Sequence, residues 1–154
     1  MPDRHWVAAA PFRAHLNHVS AVTSTPWQVL ALHAQLPVGL VRDLLDVRPG
    51  RRVHRIAPEL AEQVWSITPE AVLELRHAVV PARSARLTLR RLVAAGWTCH
   101  SLARRLHVPL GQLDALVNGL LPEVPALLDL RLAALLATGE PSPALRLRRA
   151  QPAA

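Results

Sequence analysis

Arginine carries the chemistry that this sequence offers. Between Glu74 and Asp114 stand seven arginines, Arg76, Arg83, Arg86, Arg90, Arg91, Arg104 and Arg105, and no acid. A second acid-free block holds Arg48, Arg51, Arg52 and Arg55. There is no lysine, and the formal net charge is +7. A planar guanidinium matches phosphate oxygens in a fork geometry, so clustered arginine is the electrostatic footprint of a nucleic-acid backbone. The competing reading is a solvated surface in an arginine-rich protein.

Other chemistry is thin. His15 and His18 stand three apart on a helical stretch and could share a metal, but no third ligand is in sight. Cys99 is the only cysteine, which excludes an intrachain disulfide and a thiolate cluster. Its neighbour His100 cannot face it from a helix, because adjacent positions point apart. No phosphate loop, paired acids or serine motif occurs. With 3% aromatic residues and no tyrosine, stacking on single-stranded bases is disfavoured. No enzyme, cofactor or metal is expected.

These arginines need elements to hold them. Ala85 to Ala95 reads as a helix that Gly96 ends, since glycine tolerates φ > 0. Thr98 caps a second helix through Leu106, and His107-Val108-Pro109 breaks it. A third opens at Pro109 and runs through Leu113, Leu116 and Val117. Helices this short must share a core. Leu102, Leu106, Val108, Leu113 and Leu116 supply one, and Ala103 lets two backbones approach. That is the pattern of a helix-turn-helix.

An offset of 72 residues brings 27–45 onto 99–117. Ala31 then falls on Ala103, Pro37 on Pro109, Gly39 on Gly111, Val41 on Leu113 and Leu44 on Leu116. The chain therefore reads as a duplication. The expected fold is all-α, with two tandem trihelical helix-turn-helix units at 11–46 and 81–121. A partly helical connector at 47–80 joins them, with Leu60, Ala61, Val64 and Trp65 on the inner face of one helix. Thr25-Pro26 and Thr68-Pro69 each read as a cap followed by proline. Residues 122–138 form a C-terminal helix whose leucines, Leu127 to Leu136, exceed one stripe. The surplus suits internal packing, a homodimer or a protein partner. Residues 1–10 are expected to fray and 139–154 to be a disordered tail. The N-terminus lacks the apolar core of a secretion signal, and no apolar run approaches the ~20 residues of a membrane span. The expected location is cytoplasmic and nucleoid-associated, with no membrane contact.

The chain resembles a family of small tandem helix-turn-helix proteins of actinobacteria and their phages. The residues that carry the likeness are Trp27, Leu30, Ala31, Val41, Leu44 and Leu45, then Val64 and Thr68-Pro69-Glu70, then Val80-Pro81-Ala82, Arg90 to Trp97 and Leu102-Ala103. The resemblance implies binding of double-stranded DNA and transcription regulation. Phosphate contacts would come from Arg13, Arg51, Arg52, Arg55, Arg83, Arg86, Arg90, Arg91, Arg104 and Arg105. Base readout would come from Arg42, Asp43, Gln112, Asp114 and Asn118. Two features depart from the pattern. Gln35 and His107 stand in the turn where glycine is favoured, and the third helices start on Val38-Gly39-Leu40 and Leu110-Gly111-Gln112, which offer few groups to bases. An alternative function is therefore a protein-interaction module, binding RNA polymerase or another regulator.

Overall fold

In the computed structural model, which describes residues 5–150, the first helix α1 (Ala10–Thr23) takes Pro11 in its opening turn. No intrahelical N–H bond is lost to proline there. Leu16 and Val19 face inward, and the chain leaves the helix through Ser24 at φ 51°. Two short helices follow, α2 (Trp27–His33) and α3 (Val38–Leu45). Between them the Leu36 N–H donates to the Ala31 carbonyl at 2.8 Å, closing a turn that places Gln35 at φ 57°. Leu30, Ala31, Leu36, Val41 and Leu44 are buried at this junction.

The chain then returns. Strand β1 (Val7–Ala8) pairs antiparallel with β2 (Arg55–Ile56), Val7 opposite Ile56. This ladder brings α4 (Pro58–Trp65) and α5 (Pro69–Glu74) onto α1, where Ala61, Val64, Ile67 and Val72 complete one core.

Residues 76–154 form a second unit with the same order of elements. Strand β3 (Val79–Pro81) precedes α6 (Ala82–Ala94), α7 (Cys99–Leu106) and α8 (Leu110–Val117). Gly96 turns the chain at φ 99°, and Thr98 caps α7 by accepting the Ser101 N–H at 3.0 Å. Val108 N–H reaches the Ala103 carbonyl at 3.1 Å across a turn with His107 at φ 54°. Gln35 and His107 are thus left-handed non-glycines at matching positions, which costs each about 1–2 kcal/mol. Strand β4 (Glu123–Pro125) pairs with β3, Val80 opposite Val124, and delivers α9 (Ala126–Thr138) onto α6. Leu128, Leu132 and Leu135 join Leu89, Leu92, Trp97, Leu102, Leu113 and Leu116 in the core.

The chain is predominantly helical, but the all-α expectation omitted both ladders. Strands of two or three residues are too short to show an alternating pattern. The division of the chain also differs from expectation. It falls between Leu75 and Arg76, so the expected connector belongs to the first unit up to residue 75 and supplies Ile56, Ala61, Val64, Ile67 and Val72 to its core. The helix expected over 122–138 packs into the second core, which is the internal-packing alternative. Within residues 1–10, expected to fray, Val7 and Ala8 form β1; residues 1–4 lie outside the described part. The tail expected to be disordered contains α10 (Pro143–Ala150), preceded by a buried Ser142; residues 151–154 lie outside the described part. Thr68 does cap α5, accepting the Ala71 N–H at 3.2 Å. Thr25 does not cap α2: its hydroxyl turns back to the Thr23 carbonyl at 3.2 Å, and Pro26 holds the cap position.

Candidate nucleic-acid interface

Charge divides unevenly between the units. Residues 1–75 hold seven arginines and seven acids, whereas residues 76–154 hold eleven arginines and four acids. The whole +7 therefore belongs to the second unit.

Not every arginine there is available. On α6, Arg83, Arg86 and Arg90 share one stripe at i, i+3 and i+7. Arg86 is half-buried: its Nε donates to the Leu116 carbonyl at 3.1 Å and its Nη2 to the Leu121 carbonyl at 3.2 Å. Arg90 reaches the Val117 carbonyl at 3.4 Å yet stays exposed. Both cations sit at the C-terminal end of α8, where free carbonyls and the helix dipole favour positive charge. Arg13 does the same for α3. It is 6% exposed, with Nε donating to Leu44 at 2.7 Å and Nη2 to Val53 at 2.7 Å. Arg13 and Arg86 are therefore corrected from phosphate contacts to internal braces. The reason is geometric, since a guanidinium fork fits two backbone carbonyls as well as two phosphate oxygens.

Arg83, Arg91 and Arg104 are exposed. Arg105 is exposed too but donates to Glu140 at 3.0 Å, and Glu140 also holds Arg146. In the first unit Arg51, Arg52 and Arg55 are exposed, while Arg48 donates to Asp46 at 2.9 Å. That bond draws the Asp46 carboxyl down to about 2.

The base-readout candidates are scattered in role. Arg42 and Asp43 pair with each other at 3.4 Å on α3. Asn118 donates from its side-chain amide to the Asp114 carbonyl at 2.9 Å, closing the end of α8. Asp114 is exposed but lies within hydrogen-bonding reach of the Cys99 thiol, which burial and this carboxylate together push up. Gln112 is half-buried and lines a cavity against α9. The outer surface of α8 thus offers Leu110, Gly111, Asp114 and Asn118, with no cation on the helix.

His15 and His18 diverge: the His15 ring contacts the Ile67 carbonyl at 2.7 Å and stacks on Trp65 at 4.7 Å, whereas His18 is exposed. Trp65 itself corrects an expectation. It is 61% exposed rather than inward, and with Phe12, Val7 and Pro58 it walls an apolar cleft of about 670 Å³. Ala61 and Val64 already fill the inner face of α4, and residue 65 falls at its edge. Among the described residues, no group of three potential metal ligands gathers and no helix is long and apolar enough to cross a membrane.

Sequence reading missed Arg131 altogether. It is the one arginine of a leucine-rich helix, so no cluster of basic residues signals it, yet it lines the same cavity as Gln112. No protein-family model matches this chain, and neither the curated proteins nor the solved structures contain a match to it.

Proposed function

We propose that this chain is a double-stranded DNA-binding regulator with two tandem helix-turn-helix units, the second of which carries most of the affinity. The observation that supports the reading is the placement of the full charge excess in residues 76–154, with Arg83, Arg90, Arg91 and Arg104 exposed on α6 and α7. Such cations hold phosphates and position a protein without selecting a sequence. Sequence preference is then modest, because α8 presents no cation and little polar surface to base edges. If these four arginines each neutralise one phosphate, log K against log salt falls with a slope of about −4. Titrating random-sequence duplex at increasing salt measures it, and a slope near zero rejects the reading.

A second reading has its own observation. The first unit carries no net charge and exposes Trp65 beside an apolar cleft, which suits a protein surface better than a phosphate backbone. On that reading the chain is an interaction module, and DNA affinity is absent at every salt concentration.

A further inference from the structure

Arg131 occupies a setting that helix packing alone does not explain. Its Nη1 donates to the Leu106 carbonyl at 3.1 Å, bracing the end of α7. Its Nε–H is buried and has no acceptor among the described residues. A buried donor left unsatisfied is costly, so such a group marks a place where an acceptor is wanted. Arg131 lines a cavity of about 170 Å³, and Arg76 lines it too. The two guanidiniums lie close enough to repel: burial, and then the Arg76 charge, lower the proton affinity of Arg131. No acid is among the lining residues. Asp129, the acid of the same helix, keeps a buried carboxylate oxygen without a partner among the described residues, and burial pushes its carboxyl up, opposed by Ser84 on α6.

The rest of the wall is consistent with one class of ligand. Gln112 contributes a carboxamide, and Val108, Pro125, Leu127 and Leu128 contribute hydrocarbon. Pro125 is the N-cap of that 13-residue helix and makes no side-chain cap, and the Ala126 N–H donates to the Ala78 carbonyl at 2.8 Å. The positive end of a helix dipole therefore adds to two arginines at one small, mostly apolar cavity. The first unit lacks this arrangement. At the matching place on α4, Gln63 stands where Arg131 does, and on α3 Leu40 stands where Gln112 does.

We infer that the cavity between α8 and α9 binds a small organic carboxylate, its anionic end held by Arg131 and Arg76 and its hydrocarbon against Leu127, Leu128 and Val108. Inorganic phosphate is the alternative anion, but it has no apolar part to match those walls. The inference stands on the cavity and does not depend on DNA binding.

Benzoate is the probe, titrated into the full chain and followed by calorimetry, with circular dichroism confirming the fold of each variant. Saturable binding is expected, weakened at least tenfold in R131Q and in R76Q, because each removes a charge-assisted bond. Phosphate should bind at least tenfold more weakly than benzoate. Arg76 is exposed, so R76Q carries the test even if R131Q fails to fold. Absence of saturable benzoate binding, an R76Q affinity equal to the parent's, or phosphate binding as tight as benzoate would each overturn the assignment.

Discussion

Arg13 and Arg86 perform one task in two places, each bracing the chain after a short helix by donating to two carbonyls. Hydrogen bonds from a charged donor contribute about 1.5–3 kcal/mol, and an abandoned buried acceptor adds to the loss. Arg13→Ala is therefore expected to lower unfolding free energy by about 3 kcal/mol, and Arg86→Ala by about 2, measured by urea denaturation. Arg91→Ala, at an exposed site, should stay within about 0.5 kcal/mol of the parent. Cys99 allows a test of a different kind. Burial first, then the Asp114 carboxylate, raise its thiol above the ordinary value, so little thiolate exists at neutral pH. Alkylation by iodoacetamide at pH 7.5 should be slower than for an unstructured cysteine peptide. Asp114→Asn should speed it; an unchanged rate would show that the carboxylate has no influence.

At the scale of elements, α9 changes meaning. Its leucines suit internal packing or a partner, and the fold takes the first course: Leu128, Leu132 and Leu135 are buried in their own unit and Leu127, Leu130 and Leu136 are half-buried. The motive for self-association through this helix is largely removed. Leu132→Ala should cost about 3 kcal/mol, the usual loss for a fully buried leucine, while light scattering on the parent chain returns a monomer. A dimer that Leu130→Glu dissociates would restore self-association through this helix. Helix α10 is held differently, through Glu140 bonding Arg105 on α7 and Arg146 on α10. Burial would raise the Glu140 carboxyl, but these two arginines outweigh it and hold it below the ordinary range. A depressed folded value means the tether contributes fully above the unfolded value of about 4.3 and is lost as pH falls through the folded one. Amide exchange across 143–150 should therefore be slower at pH 6 than the intrinsic rate and approach that rate below pH 4. Glu140→Gln should remove the protection at pH 6.

At the scale of the molecule, two units share an order of elements but not a charge. The first balances its arginines with acids and the second does not. Under the DNA reading, Arg90→Ala with Arg91→Ala should weaken binding to all duplexes alike, at least tenfold at low salt. Removing Arg51, Arg52 and Arg55 together should change affinity less than threefold. Comparable losses in fluorescence anisotropy would contradict the assignment of affinity to the second unit.

Much of this was legible in the residues themselves. The turns at Gly96 and Thr98 and the apolar positions repeated at an offset of 72 depend on neighbours a few residues apart. Local sterics, capping and helical periodicity act over that range, so a linear reading reaches them. What the second half of each unit does was not legible. The repeat continues through β2 and α4, or β4 and α9, but there the register slips from 72 to 68, as Val64 against Leu132 shows, and the loop lengths differ. Partnership of Val7 with Ile56, or of Arg13 with Val53, joins residues about 40 or more apart, and nothing local records it. An arginine facing carbonyls and one facing water are the same letter. Only the packing of α1 beside α3 and of α6 beside α8 decides which of them brace the fold and which remain for a partner.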